Sequence, residues 1–242
     1  MDEPLQLDAA GVSYRELNAR LRRAVEGRIE LRNVCGQRYI GTGLRRPVEI
    51  HVHGTPGNDL AAFMDGPRIV VYGNAQDGCG NTMNSGEVVV HGRAGDVTGY
   101  AMRGGEILVR DDVGYRVGIH MKEYHEKRPV IVIGGTAQHF LGEYMAGGVL
   151  VVLGLTGERR VANFIGTGMH GGVMVFRGEL ADEQLGKEVG RVPLEEGDWR
   201  LLGELVGRYV ACFGGDAAGI LEHTFTKVAP LSARPYGRLY AY

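Results

Sequence analysis

The cysteines are the residues of this sequence best suited to redox or metal chemistry. Cys35, Cys79 and Cys212 are odd in number, lie far apart and form no CxxC pair. Zinc sites, iron–sulfur clusters and disulfide frameworks use closely spaced or paired cysteines, so we expect none of them here. Cys79 lies between two glycines and Cys212 precedes Phe213, so we expect both thiols to be buried and unreactive.

Four other groups of residues suggest a particular chemistry. The GCG segment at residues 78–80 looks like a phosphate-binding loop. The imidazoles of His51, His53 and His91 could bind a metal ion. The methionines could supply soft thioether ligands for copper, and a row of glutamates could line an acidic cleft. Whether the members of each group can act together depends on the elements that position them.

A 19-residue repeat organises most of the chain. We take as an anchor the residue that closes each apolar run; successive anchors are 19 residues apart, except at two intervals of 24 that each hold a five-residue insertion. The seven anchors are Gly54, Gly73, Gly92, Asp111, Gly135, Gly154 and Gly178. A strand–helix–strand unit needs roughly 30 residues, so this period indicates one turn of a β-solenoid.

Equivalent positions of the repeat form columns of similar residues. Four and two residues before the anchor every residue is apolar, as at Ile69 and Val71, so this strand face points inward. Seven residues after the anchor, with the second insertion subtracted, glycine stands in five of the first six turns, and Ala61 takes its place in the other. Six of the eight methionines form one more column, ten residues after the anchor once the second insertion is subtracted: Met64, Met83, Met102, Met121, Met145 and Met169.

These columns predict an all-β fold, a single-stranded, right-handed parallel β-helix of about seven turns. Each turn buries its core only against its neighbours, so the two ends need covers. Near the start, Ser13 and Glu16 form a capping box and Val12 with Leu17 a hydrophobic staple, which predicts an N-terminal helix that stops near Gly27.

Helices are also predicted near the C-terminus. Asp198 is the predicted N-cap of a helix that continues to Phe213, and Asp216 is expected to cap a short second helix that ends near His223. Residues 224–242 read as an extended arm. We divide the chain into residues 1–37 (N-terminal helix and lead-in), 38–180 (β-helix repeat domain) and 181–242 (C-terminal helical cap and tail).

One column does not fit a free-standing coil. Three residues before the anchor the side chains should point outward, yet six of the seven residues are aliphatic, as at Val70 and Val89, and only His51 is polar. An exposed apolar column of this length should be covered. The C-terminal helices are the first candidate for this cover, and a partner protein is the second.

The repeat changes the interpretation of the candidate sites. The GCG segment at residues 78–80 becomes a corner with no helix after it, so we expect no phosphate loop, and the methionine column becomes a buried ladder. His53 and His91 lie two turns apart, near 9.6 Å at about 4.8 Å per turn, which is too far for one metal ion.

The glutamates do not suggest catalysis either. Glu49, Glu87 and Glu106 share one outward column, which Arg68 interrupts. We find no Ser/His/Asp order, paired catalytic carboxylates or cysteine nucleophile in the sequence. We therefore expect no catalytic residue, no cofactor-binding residue and no metal ligand.

The two insertions are the places where partner contacts are most expected. The first lies near Lys122, in the charged stretch at residues 121–128, and we expect a solvated bulge there. Its candidate ligands are His120, Glu123 and His125. The second falls within residues 155–167 and contains Glu158, Arg159 and Arg160.

The repeat and the C-terminal segment resemble a known family. The C-terminal domain of the large subunit of glutamate synthase has GXGXG repeats similar to GNAQDGCGNTMNSGEVVVHG, AQHFLGEYMAGGVLVVLG and GTGMHGGVMVFRG. The segment that follows those repeats is similar to DWRLLGELVGRYVACFGGDAAGILEHTFTKVAP. The resemblance runs from about Arg38 to Val228. One of the subunits of formylmethanofuran dehydrogenase has similar repeats as well.

The resemblance implies a structural β-helix that lies beside a class II glutamine amidotransferase domain and an FMN- and iron–sulfur-containing synthase domain. The chain does not begin with a cysteine nucleophile and has no room for a flavin-binding barrel. We therefore expect a stand-alone scaffold subunit with no bound cofactor and no activity alone, whose partners are separate amidotransferase and flavin polypeptides. A component of a formylmethanofuran or formate dehydrogenase complex is the alternative, and the C-terminal segment argues against it.

Composition limits the other partners. The chain has 242 residues, a net charge of -2 and no apolar run of the length that spans a membrane, so we expect neither nucleic acid nor a membrane as a partner. The acidic start has no apolar core of a signal peptide, which makes the cytoplasm the expected location. We also expect that copies of the chain could associate into a homo-oligomer.

Overall fold

The computed structural model describes residues 3–23, 26–156 and 162–233. The strands of these residues form one eleven-stranded sheet. Strands β1 to β9 pair in parallel and in chain order, and β11 then pairs antiparallel with both β9 and β10. This is a parallel β-solenoid of about eight turns. The strands are β1 (Leu5–Asp8), β2 (Gly27–Cys35), β3 (Val48–Thr55), β4 (Asp65–Tyr72), β5 (Ser85–Val90), β6 (Glu106–Val109), β7 (Val130–Ile133), β8 (Ala146–Val152), β9 (Gly171–Arg177), β10 (Val189–Val192) and β11 (Phe225–Pro230).

The register predicted from the repeat is confirmed. Ile69 lies opposite Ile50 on one side and Val88 on the other, and Val88 lies opposite Ile107. The column continues across both insertions, through Ile131, Leu150 and Met174. Its members are fully buried and belong to one continuous core, because side chains alternate between the two faces of each strand.

The coil begins earlier than the seven anchors indicate. Strand β2 pairs in parallel with β3, and β1 pairs in parallel with β2, within residues that the sequence assigned to a helix and a lead-in. The β2–β3 register shifts between Leu31 and Val34, so the 19-residue spacing is lost at this point. A search for fixed spacing therefore misses the first turn.

Each turn contains a corner in which alternate residues have a left-handed backbone. Five, seven and nine residues after the anchor, with the second insertion subtracted, φ is positive in six successive turns; in one of them it is 71° at Gly78, 70° at Gly80 and 53° at Thr82. Gly80 N donates to Leu60 O of the previous turn, whereas Thr82 N donates to Tyr100 O of the next turn. The alternation thus directs N–H groups to both neighbouring turns and satisfies the backbone of the corner.

The middle residue of each corner points inward and has almost no room for a side chain. A Cβ on Gly80 would overlap the Cδ1 atom of Ile107, and equivalent overlaps recur in other turns. In the turn before, Ala61 stands in place of the glycine and Val88 in place of the isoleucine. The corner gains a methyl group where the strand loses one, which keeps the volume of the core nearly constant.

The two ends of the coil carry short helical elements. Helix α1 (Tyr14–Leu21) begins where predicted, since Ser13 Oγ accepts a hydrogen bond from Glu16 N at 3.3 Å. The Glu16 carboxylate pairs with Arg20. At the other end a 3₁₀ turn spans Asp182–Gln184.

The C-terminal helices differ from the prediction in one cap. Helix α2 (Glu196–Phe213) begins earlier than predicted, so its N-cap is Glu195 and not Asp198, whose carboxylate instead accepts a hydrogen bond from Glu195 N at 2.7 Å. Asp216 caps the short helix α3 (Ala217–Leu221) as predicted. The expected extended arm contains β11. None of the helices in the described part of the chain is long and apolar enough to span a bilayer.

The packing of corner against strand can be tested at Gly80 and Ile107, which occupy in one turn the positions that Ala61 and Val88 occupy in the turn before. We predict that Gly80→Ala destabilises the protein by about 1 to 3 kcal/mol, because the added Cβ overlaps Ile107 and because alanine is strained at positive φ. Ile107→Val alone should cost about 0.5 to 1.5 kcal/mol. The double variant should cost less than the sum, because it rebuilds the natural combination. Denaturant unfolding of the four proteins measures this coupling.

Ile50→Val is the control partner for Gly80→Ala. Ile50 lies in the same inward column as Ile107, but three turns away from it. These two substitutions should add to within about 0.5 kcal/mol. If Gly80→Ala and Ile107→Val were equally additive, the steric account of the corner glycines would be wrong.

Candidate functional surfaces

The outward apolar column is covered by the chain's own helix α2. Leu205 and Val206 of α2 are buried in one cluster with the column. The column residues in this cluster are Val70, Val89, Leu108, Val132, Val151 and Val175. The first of the two predicted covers is therefore confirmed, and the column itself no longer argues for a partner protein.

Polar contacts attach α2 to the middle of the sheet. The Arg208 guanidinium pairs with the carboxylates of Glu106 and of Glu87, the latter at 3.3 Å. The Tyr209 hydroxyl donates to Arg110 O at 2.8 Å. Burial raises the pKa of Tyr209 to about 12. Burial also raises the pKa of Glu106 above its ordinary value, although the charge of Arg208 opposes this, so the attachment contains a carboxylate that is costly to ionise.

The glutamate column is a ladder of ion pairs. Arg68 lies between Glu49 and Glu87 and pairs with both. Burial acts to raise the pKa of Glu49, but hydrogen bonds from Arg68 and His51 bring it below its ordinary value. Each of these carboxylates is therefore neutralised by an arginine, an arrangement that differs from the paired acid and base of a hydrolase.

The strand histidines take part in a stack of rings. The Tyr72 ring lies between the rings of His53 and His91, with centroid distances of 4.9 and 5.2 Å. His51 Nδ1 lies 3.0 Å from the Tyr72 hydroxyl, and His53 Nε2 lies 2.6 Å from a carboxylate oxygen of Glu30. In the part of the chain that the structure describes, no group of three histidine, cysteine or carboxylate side chains could hold a metal ion.

The candidate ligands of the first insertion do not converge. Glu123 pairs with Arg128 at 3.3 Å, whereas the His120 ring stacks on the Tyr144 ring at 5.3 Å. The His125 ring lies 4.2 Å from that of the preceding tyrosine. Residues 122–128 are exposed, as expected for a solvated bulge.

The second insertion is described only in part. Residues 157–161, which include Glu158, Arg159 and Arg160, lie outside the described residues. Leu155 before them and Phe164 after them are exposed. That either insertion contacts a partner therefore stays a prediction.

The GCG segment at residues 78–80 is a corner of the coil, as predicted. Positive φ at Gly78 and Gly80 belongs to the alternating pattern, and no helix follows. Cys79 is fully buried, and burial raises the pKa of its thiol to about 12. Cys212 is half-buried, and burial raises its pKa as well. The six methionines of the ladder are fully buried.

The outward side of the corners is an exposed aromatic surface that the sequence analysis did not identify. We call it the corner face and define it as residues four to nine after the anchor in six successive turns, with the second insertion subtracted. These six rungs, numbered one to six, are residues 58–63, 77–82, 96–101, 115–120, 139–144 and 163–168. Its large exposed rings are Phe63, Tyr100, Tyr115, Tyr144 and Phe164. Exposed aromatic surfaces of this kind are typical of interaction sites.

Several rings of the corner face stand on the left-handed backbone. Tyr144 and Phe164 have φ of 52° and 62°, a conformation that costs roughly 1 to 2 kcal/mol for residues other than glycine. The Phe140 and Phe164 rings stack at 4.9 Å between neighbouring rungs. The signal in the sequence was the presence of aromatic residues five and nine residues after the anchor in the later turns, as at Phe140, Tyr144 and Phe164.

Glycine stands at the middle left-handed position of five of the six corners, and in two of these corners a second glycine lies two residues away, as at Gly78 and Gly80; this resembles the spacing in the letters GXGXG. The model of the GXGXG motif family matches residues 16–230. The chain belongs to this family, which is that of the glutamate synthase C-terminal domain. A relative, the uncharacterized protein MJ1350 of Methanocaldococcus jannaschii, is 44% identical over 252 residues, which cover 98% of this chain and 97% of that protein.

Glu106 should make the attachment of α2 depend on pH. Its pKa is higher in the folded than in the unfolded protein, so the contribution of Glu106 to stability falls as the pH rises from about 4 through the raised pKa. We predict that Glu106→Gln removes this decrease and stabilises the protein relative to wild type at the high-pH end. Denaturant unfolding at a series of pH values measures the effect.

Glu204→Gln provides the matched control, because Glu204 is an exposed glutamate of the same helix. This variant should keep the pH dependence of the wild type. An unchanged pH dependence in Glu106→Gln would show that the buried carboxylate does not set it.

Proposed function

We propose that the chain is a structural subunit of a glutamate-synthase-like complex and has no catalytic activity of its own. Its partners would be a class II glutamine amidotransferase and a synthase that carries FMN and an iron–sulfur cluster. The coil would hold these two enzymes in relation to each other, the role that the resemblance to the C-terminal domain of glutamate synthase implies.

The observation that carries the proposal is the way the C-terminal segment is built into the coil. This segment resembles the one that follows the repeats in glutamate synthase, and here it supplies α2, α3 and β11. Helix α2 covers the outward apolar column, and β11 pairs with β9. Because the segment completes the fold, its resemblance supports the glutamate synthase branch over the formylmethanofuran dehydrogenase branch.

The state of the reactive side chains also supports a structural role. A nucleophile or a general base must reach its substrate with a pKa suited to its task. The Cys79 thiol is fully buried with a pKa of about 12, Arg68 neutralises Glu49 and Glu87, and His53 is paired with Glu30. Rows of hydrogen bonds between the turns make the coil rigid, and a rigid coil is suited to holding other proteins in fixed positions.

A native pull-down from the source organism tests the proposal. The full-length chain carries an affinity tag, and a second strain that expresses the tag alone is the control. We expect mass spectrometry to identify a glutamine amidotransferase and a flavin synthase, and we expect the eluate to absorb light as a flavoprotein. The purified chain alone should be colourless and should lack glutaminase and synthase activity.

Each of the other outcomes has a clear meaning. Recovery of a protein that binds a pterin–metal cofactor, in place of the flavin protein, would support the formylmethanofuran or formate dehydrogenase alternative. Recovery of neither enzyme, or glutaminase activity in the isolated chain, would refute the proposed role.

A further inference from the structure

The corner face consists of two halves with side chains of different size. The outward columns lie five and nine residues after the anchor. In rungs two and three they contain the small residues Gly78, Thr82, Val97 and Ala101. In rungs four and five they contain the large residues Arg116, His120, Phe140 and Tyr144. At these two columns one half of the face is therefore low and the other is raised, and Tyr100, which lies outside the two columns, is the large exposed ring of rung three.

Charge follows the same division. Asp77 and Asp96 are exposed carboxylates in rungs two and three. Arg116 is exposed in rung four, and His139 lies in rung five. The carboxylate of rung five, Glu143, is buried and pairs with Arg116 at 3.6 Å. The low half is thus acidic, whereas the raised half presents a guanidinium and imidazoles.

We propose that the corner face is an interface between two copies of this chain, related by a two-fold axis that crosses the coil between rungs three and four. The axis lies in the plane of the interface. It places rung three of one copy on rung four of the other, rung two on rung five and rung one on rung six. Residues at the same distance from their anchors then face each other. The inference is independent of the proposed scaffold role.

This axis brings large side chains onto small ones. The ring–small pairs that it creates are Phe140 with Gly78, Tyr144 with Thr82, Phe63 with Gly168 and Phe164 with Asp59. Polar groups meet as well: the imidazole of His139 faces the carboxylate of Asp77, and the guanidinium of Arg116 lies on the rung that contains the opposite charge of Asp96. The face is therefore complementary to itself in both size and charge, which an interface between identical copies requires.

A two-fold axis along the coil would not produce this match. Each rung would then lie on itself, so that Phe140 would face Tyr144 and Gly78 would face Thr82. Large side chains would collide in one half of the interface and leave a gap in the other. Because the centre of a specific interface packs as densely as a protein interior, the crossing axis is the one that the face favours.

The backbone gives a second, independent argument. Phe140 and Tyr144 have φ of 64° and 52°, where glycine or asparagine would cost less. The Tyr144 side chain is 37% exposed, so the interior of the coil does not use it. The positive φ itself belongs to every corner and recurs at Val97 and Ala101 of the low half, but the fold does not need aromatic side chains there. At the centre of the raised half such side chains are nevertheless held outward, which is a sign of function.

Sedimentation velocity of the full-length protein tests the inference. We expect a monomer–dimer equilibrium over roughly 1 to 100 µM, because dimerisation follows mass action. The variant Phe140→Asn/Tyr144→Asn should weaken dimerisation by about 30-fold or more, the loss expected for aromatic anchors. It should remain folded, because asparagine tolerates the left-handed backbone.

Tyr124→Asn is the matched control, because Tyr124 is 54% exposed but lies outside the corner face. This variant should dimerise like the wild type. A wild type that is monomeric over the whole range would overturn the inference, and so would a dimer that survives the loss of both rings in a protein whose unfolding shows it to be folded.

Cross-linking tests the direction of the axis. Asn58 and Asn163 are equivalent residues of rungs one and six, which lie about 24 Å apart along one coil at about 4.8 Å per turn. In a Cys35→Ser background, Asn58→Cys mixed with Asn163→Cys should cross-link efficiently through a short bis-maleimide, and neither variant alone should do so. Efficient cross-linking within a single variant would show a different geometry and would refute the proposed axis.

Discussion

Backbone hydrogen bonds between successive turns are the constraint on which the rest of the structure depends. In each corner the N–H groups must point alternately to the previous and the next turn. The chain achieves this by taking positive φ at every second residue, as at Gly78, Gly80 and Thr82. L-residues adopt this conformation only at a cost, whereas glycine adopts it freely. Seven of the 40 glycines of the chain, among them Gly78 and Gly80, stand at these corner positions.

The same alternation decides where the side chains go and thus what the protein can do. The middle residue of each corner points into the core and must be small, while its two neighbours in the pattern point outward and are free to vary. The other broad surface, the outward face of the sheet, is largely closed by α2 through Leu205, Val206 and the pairing of Arg208 with Glu106. Helix α2 therefore covers one outward face of the coil and leaves the corner face exposed.

The sequence predicted those features that recur in every turn. The inward columns, the methionine ladder and the covered valine column each repeat one type of residue, so spacing alone reveals them. Features that occur once were missed. A register shift separates strand β2 from the regular repeat, and α2 begins before Asp198. The Arg208–Glu106 pair joins residues that no local sequence pattern connects. The corner face was missed because its outward residues differ from rung to rung, and it is this variation that makes the face self-complementary.

Contacts between methionine methyl groups provide the most direct test of the stacked corners. Arg103 N donates to Met83 O and Lys122 N donates to Met102 O, so successive members of the ladder lie in neighbouring turns. In protein labelled with ¹³C only at the methionine methyls, the account predicts nuclear Overhauser effects between Met83 and both Met64 and Met102, and none between Met64 and Met145. Absence of the Met83–Met102 signal, or a strong Met64–Met145 signal, would contradict it.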